Sequence, residues 1–118
     1  MKMDSEFVKL PLKFDVERMV QETTQFEENS LQPHPGKHPG NSALPLISYG
    51  GQNNDDFSGS MQETPHLQKC EYLRQISSNI GEVLGRSRLM RLAGGTEVPI
   101  HVDAIYHWHR HVRIHIPI

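Results

Sequence analysis

The chain has 118 residues, a formal net charge of −2 and 36% hydrophobic residues, with a mean hydropathy of −0.57, which is one domain's worth of chain, slightly lean in core formers. No apolar run approaches the roughly 20 residues that span a bilayer, and MKMDSEFVKL lacks the apolar stretch of a secretory signal. The single cysteine, Cys70, excludes an internal disulfide and the cysteine-rich zinc modules and fits a reducing, cytoplasmic setting, while the lack of a long block of one charge argues against a membrane surface or nucleic acid as partner.

In chain order, residues 7–14 (FVKLPLKF) read as a short extended segment, with Pro11 limiting it to an edge strand. Residues 15–29 switch to helical spacing: Val16, Met19, Val20, Thr23 and Phe26 recur on one face. Asp15 is the expected N-cap and Glu17 favours the first turn. Residues 30–60 hold 4 of the 8 prolines and 5 of the 9 glycines and read mostly as loop. Within them, Ala43–Tyr49 can form a strand ending at Gly50-Gly51. Thr64-Pro65 opens a second helix, with Thr as N-cap and Pro in the first helical position. Leu67, Cys70, Leu73, Ile76 and Ile80 form its apolar stripe, and Gly81 or Gly85 ends it. From residue 85 the texture becomes β. Residues 88–92 form a strand, 93–96 a hairpin turn, 97–101 a continuation, and Val112–Ile118 an apolar strand.

Charge divides along the same line. Residues 1–85 carry 7 Lys/Arg against 12 Asp/Glu, whereas residues 86–118 carry 5 Arg against Glu97 and Asp103. Five of the eight histidines, His101, His107, His109, His111 and His115, also fall in the second part. A cationic, imidazole-rich tail suits a metal or a small anion, and equally a solvated basic face.

His101-Val102-Asp103 is the most informative triplet. Side chains two apart on a strand share a face, so an imidazole and a carboxylate there can grip one divalent metal, as in a site of two histidines and one carboxylate. The plain alternative is a surface His and Asp. In residues 110–116, period two puts His111, Arg113 and His115 on one face and Val112, Ile114 and Ile116 on the other. Arginine suits bidentate carboxylate binding. The plain alternative is a strand with an exposed polar face.

Other residues read more simply. Cys70 is a buried structural thiol on the helix stripe. Tyr106 and Trp108 either wall a site or pack. His34, His38 and His66 are loop or helix-start residues rather than ligands. Asn53-Asn54-Asp55-Asp56 lacks the Gly and Glu of a calcium loop and reads as a solvated turn. Gly94-Gly95 lacks the Lys-Ser/Thr of a phosphate loop.

Residues 85–118, GRSRLMRLAGGTEVPIHVDAIYHWHRHVRIHIPI, resemble the aspartyl/asparaginyl β-hydroxylase family in its bacterial form. The upstream LPLKFDVERM, GGQNNDDFSGSM and TPHLQKCEYLRQI resemble its N-terminal region. The resemblance implies an α+β fold, with N-terminal helices packed on the first part of a double-stranded β-helix, or jelly roll, of cupin-like type. It implies one domain over 1–118, with a helical and loop region over 1–84 and jelly-roll strands with H-x-D over 85–118. It implies Fe(II) as cofactor, 2-oxoglutarate as co-substrate, and dioxygenase hydroxylation of an Asp/Asn-type aliphatic carbon in a peptide or related small amide. By the same resemblance His101 and Asp103 are metal ligands, and Arg113 and His115 contact 2-oxoglutarate. The family's second metal histidine and a further arginine match nothing here, so the domain is expected to be incomplete at its C-terminal side and the chain alone is not expected to turn over. His107, His109 and His111 could in principle supply the third ligand. The alternative function is an inactive, truncated cupin-like module that binds metal or a partner.

Overall fold

The computed structural model describes residues 7–34, 38–81, 84–101 and 110–118. Asp15 caps the first helix, α1 (Val16–Thr24), its carboxylate accepting from Arg18 N at 3.2 Å. After a 3₁₀ turn at Glu28–Ser30 comes the two-residue strand β1 (Gln32–Pro33). The region read mostly as loop contains the longest strand, β2 (Asn41–Tyr49). Then follow β3 (Met61–Glu63), α2 (Pro65–Gln68), α3 (Glu71–Asn79) and β4 (Ser87–Leu92).

All pairing is antiparallel and runs through β2. β1 pairs at Ser42 and Ala43, β3 at Ile47–Tyr49, and β4 along Asn41–Ile47. A strand has two edges, so β1 and β3 share one in succession and β4 takes the other. Pro45 has no N–H to give, and it sits in the gap between β1 and β3 where no ladder bond is required. On the β4 side the register shifts between Pro45 and Ile47, making a bulge at Leu46.

Thr64, buried beside this gap, closes it. Its amide donates to Leu46 O at 2.9 Å and its hydroxyl to Pro45 O at 2.8 Å. The same oxygen accepts from Leu67 N at 3.3 Å as the cap of α2. Leu67 thereby enters the core with Met19, Leu46, Ile47, Cys70, Leu73 and Ile76. The predicted helix starts at Thr64-Pro65 as expected but breaks at Lys69–Cys70 into α2 and α3. Cys70 offers α3 no side-chain cap. The Glu22 carboxylate of α1 replaces it, accepting from Tyr72 N at 2.6 Å and Leu73 N at 2.9 Å.

The working contacts of α1 are therefore Met19 and Glu22, with Phe26 packing on the core just past its end. Of the apolar stripe seen in sequence only Met19 is buried, while Val16 and Val20 are exposed. Arg18 lies 4.4 Å over the Tyr72 ring, and Asp15 N donates to Tyr72 Oη at 2.7 Å. These contacts fix α1 against α3 with little apolar burial.

The fold is thus α+β, with three α-helices and a four-stranded antiparallel sheet among the described residues. Three expected strands are absent: residues 7–14, 97–101 and 112–118 form none. Phe7, Val8 and Leu12 are exposed, as are Val112 and Ile114. Alternating polarity made them eligible for pairing, but a strand exists only where a neighbour offers an edge. Among the described residues no helix is long and apolar enough to cross a membrane.

Because Glu22 satisfies two backbone donors that α3 cannot satisfy itself, Glu22→Ala should lower stability by about 1–2 kcal/mol. Glu22→Gln, which keeps one acceptor, should lose less. Urea denaturation followed by circular dichroism checks both.

Candidate functional site: a basic cleft on the sheet

Strand alternation puts Ala43 and Pro45 on one face of β2, with cross-strand partners Gln32 and Arg88. Leu44 and Leu89 take the opposite face, beside Phe26 and Thr23 of the α1 end. The first face opens into a cleft of about 230 Å³, completed by His34, Asn53, Asn54, Asp55 and Arg86. Two arginines and one carboxylate line it.

Asp55 Oδ1 accepts from Arg86 Nη1 at 3.2 Å and from Arg88 Nη1 at 3.3 Å. The Arg86 side chain is only 11% exposed, whereas that of Asp55 is 53% exposed. Arg86 also reaches Asp55 O at 3.0 Å and lies 4.1 Å over the Phe57 ring. Burial lowers the Arg86 pKa, and the positive charges of Arg88 and Arg113 lower it further against the opposing pull of Asp55. Arg113, expected as a co-substrate contact, therefore lies within electrostatic reach of this cluster. Burial, followed by His38 and Arg88, also lowers the pKa of His34 below its usual 6.5.

The loop carrying Asp55 is fixed at both ends. Gly51 has φ +68°, and a Cβ there would lie 2.7 Å from Glu63 O. Gly59 has φ +110°, and a Cβ there would collide with the Tyr49 ring. Both positions exclude an ordinary side chain. Between them Asn54 Nδ2 donates to Tyr49 O at 2.9 Å and Oδ1 accepts from Asp56 N at 3.2 Å. The segment read as a solvated turn is thus the cleft's wall.

His101 is exposed, with Nδ1 2.8 Å from Pro99 O. A carbonyl only accepts, so Nδ1–H donates to it. This orientation suits a metal-ligating histidine. Its ring stacks on His38 at 5.5 Å and 29°, and His38 meets His34 at 5.2 Å. Arg113, His115 and His111 are exposed in the strandless last segment. Asp103 lies outside the described residues, as do Tyr106, His107, Trp108 and His109. Among the described residues, no three His, Cys, Asp or Glu side chains converge to hold a metal.

The sequence reading missed His34, Asp55, Arg86 and Arg88. The charge asymmetry contained the arginines, and no motif marked them. Comparison with known proteins returns no match: no family model, curated protein or solved structure aligns with this chain.

Cys70 behaves as a structural thiol. It is fully buried, and desolvation pushes its pKa from 9.0 to about 11, with the Glu22 carboxylate adding to the shift. Gln25 Nε2 lies 3.6 Å from its Sγ. The folded state thus binds the thiol proton more tightly than the unfolded state. The associated stability is complete below about pH 9 and is lost as pH rises toward about 11. Urea midpoints measured from pH 8 to 11 should fall more steeply in wild type than in Cys70→Ala. At pH 8, alkylation of the native thiol should be roughly 100-fold slower than in the unfolded chain, because a thiol with a pKa of about 11 holds far less thiolate than one at 9.0.

Proposed function

We propose that this chain takes part in Fe(II)- and 2-oxoglutarate-dependent hydroxylation of an Asp/Asn-type aliphatic carbon, in a peptide or small amide. In this reading the four-stranded sheet is part of a double-stranded β-helix. The resemblance of residues 85–118 supports it from the sequence. The observation that supports it on the structural side is the contact of His101 Nδ1 with Pro99 O, an arrangement that suits ligation through Nε2.

The roles follow from residue chemistry. His101 and Asp103 are the protein's ligands to ferrous iron. The iron, with oxygen and 2-oxoglutarate, supplies the oxidising power for hydroxylation, releasing succinate and carbon dioxide. Arg113 offers a guanidinium fork to a 2-oxoglutarate carboxylate, and His115 offers a hydrogen bond to the same co-substrate. Arg86 and Arg88 give this region a positive field that draws a dianion toward it.

A second reading is a non-catalytic module that binds metal or a partner. One observation favours it: Arg113 and His115, the expected co-substrate contacts, are exposed on a segment that forms no strand. Two measurements separate the readings. Manganous ion should broaden NMR signals of residues 98–101, and His101→Ala should abolish the effect. With ferrous ion, ascorbate and 2-oxoglutarate, succinate above the His101→Ala control identifies the hydroxylase, whereas manganous broadening that 2-oxoglutarate leaves unchanged identifies the module.

Arg113→Ala should weaken 2-oxoglutarate binding roughly 10- to 100-fold, the size of a charged hydrogen bond converted at 1.4 kcal/mol per decade. Arg113→Lys should recover only part. Isothermal titration checks this, and an unchanged affinity in the alanine variant removes Arg113 from the role.

A further inference from the structure

We infer that the cleft between β1, β4 and the Asn53–Asp55 loop is a binding site for a small carboxylate, held by Arg86 and Arg88, with Asp55 as the internal occupant it displaces. The hydroxylase reading gives Arg86 and Arg88 only a long-range attraction for a dianion; the inference makes them the direct contacts of a carboxylate and needs none of His101, Asp103, Arg113 or His115.

Four observations carry it. First, the two guanidiniums already converge on one carboxylate oxygen, so their spacing suits a carboxylate. Second, that pairing is loose: contacts of 3.2 and 3.3 Å exceed the usual 2.7–2.9 Å of a charged N–H···O bond. A carboxylate free to choose its position can do better. Third, the partners are unequal. Arg86 is nearly buried and steadied by Phe57, so it is preorganised, while Asp55 is half exposed on a loop. Asp55 is the exposed partner, so a ligand carboxylate that keeps the buried Arg86 paired can take its place. Fourth, among the described residues the hydrogen bonds of Arg86 leave only from Nη1, to Asp55 O and Oδ1. Its Nε and Nη2 make no hydrogen bond to a described residue.

The cleft also limits the size of the ligand. At about 230 Å³ it falls below the roughly 300–1,000 Å³ of drug-sized sites. Gln32, Asn53, Asn54 and His34 add neutral hydrogen-bonding groups around the arginines. This lining suits a mono- or dicarboxylic acid of a few carbons.

The probe is succinate, titrated into metal-free chain with chelator present and followed by ¹⁵N NMR. Signals of residues 53–57 and 86–88 should shift together in wild type. Asp55→Asn should tighten binding roughly tenfold, because the internal competitor is gone. Arg86→Gln and Arg88→Gln should each weaken it at least tenfold, and Arg88→Lys should fall between, since it keeps charge but not the fork. Circular dichroism and urea midpoints confirm that each variant is folded. If Arg86→Gln unfolds, the Asp55→Asn and Arg88→Lys results still decide. The inference is overturned if Asp55→Asn binds no more tightly than wild type, or if inorganic phosphate binds as well as succinate and shifts the same signals, which is bare charge attraction. It is also overturned if Arg113→Ala abolishes succinate binding while Arg88→Gln leaves it intact, because the site would then be the co-substrate's own.

Discussion

One hydroxyl group couples the sheet to the helices. Thr64 Oγ1 donates to a carbonyl of β2 and accepts from the first turn of α2, within a site that excludes water. In such surroundings a lost partner costs the full desolvation of the group left behind, about 1–3 kcal/mol. Two consequences follow. Leu67 and Cys70 are delivered to the core, and Pro45 is tolerated inside the strand with which every other strand pairs. The bulge beside it lets Leu46 and Ile47, adjacent in sequence, both join the core, while Ala43 and Pro45 remain on the cleft face. The cleft exists because the central strand changes register there.

What could be read from sequence was local. Asp15 as cap, Thr64-Pro65 as a helix start, the strand near residues 88–92 and the turn after it depend on neighbours a few positions apart. The buried stripe Leu67, Cys70, Leu73, Ile76 was also legible, because helical spacing is a local signal. What failed was non-local. Glu22 caps a helix 50 positions away, and no propensity marks a carboxylate for that task. The strand expected at Ala43–Tyr49 is there as β2, Asn41–Tyr49, but its place between β4 on one edge and β1 and β3 on the other could not be read. Val112–Ile118 has strand-like alternation, but alternation names a face and not a partner.

The site divides in the same way. His101 was conspicuous because two chemical groups at strand spacing make a pattern. Asp55 was set aside because its run lacks calcium-loop residues, a test that asks about the wrong ion sign. Its importance comes from Arg86 and Arg88, more than 30 positions away, and from the loop geometry that faces it toward them. A basic strand and a distant acidic turn look like two solvated features until the register of β2 against β4 brings them to one cleft.

The glycines bounding the Asp55 loop have an evolutionary consequence. Gly51 is pressed against the Glu63 carbonyl and Gly59 against the Tyr49 ring, so neither can drift to another residue without moving the loop off the sheet. Residues 52–58 between them carry far less constraint from the core. Inheritance can then rewrite this short cassette while its hinges stay fixed, and descendants of one scaffold can trade one acidic or amide side chain for another above the same pair of arginines. In such a lineage, ligand preference would diverge by substitution within seven positions, with the sheet beneath left as it is.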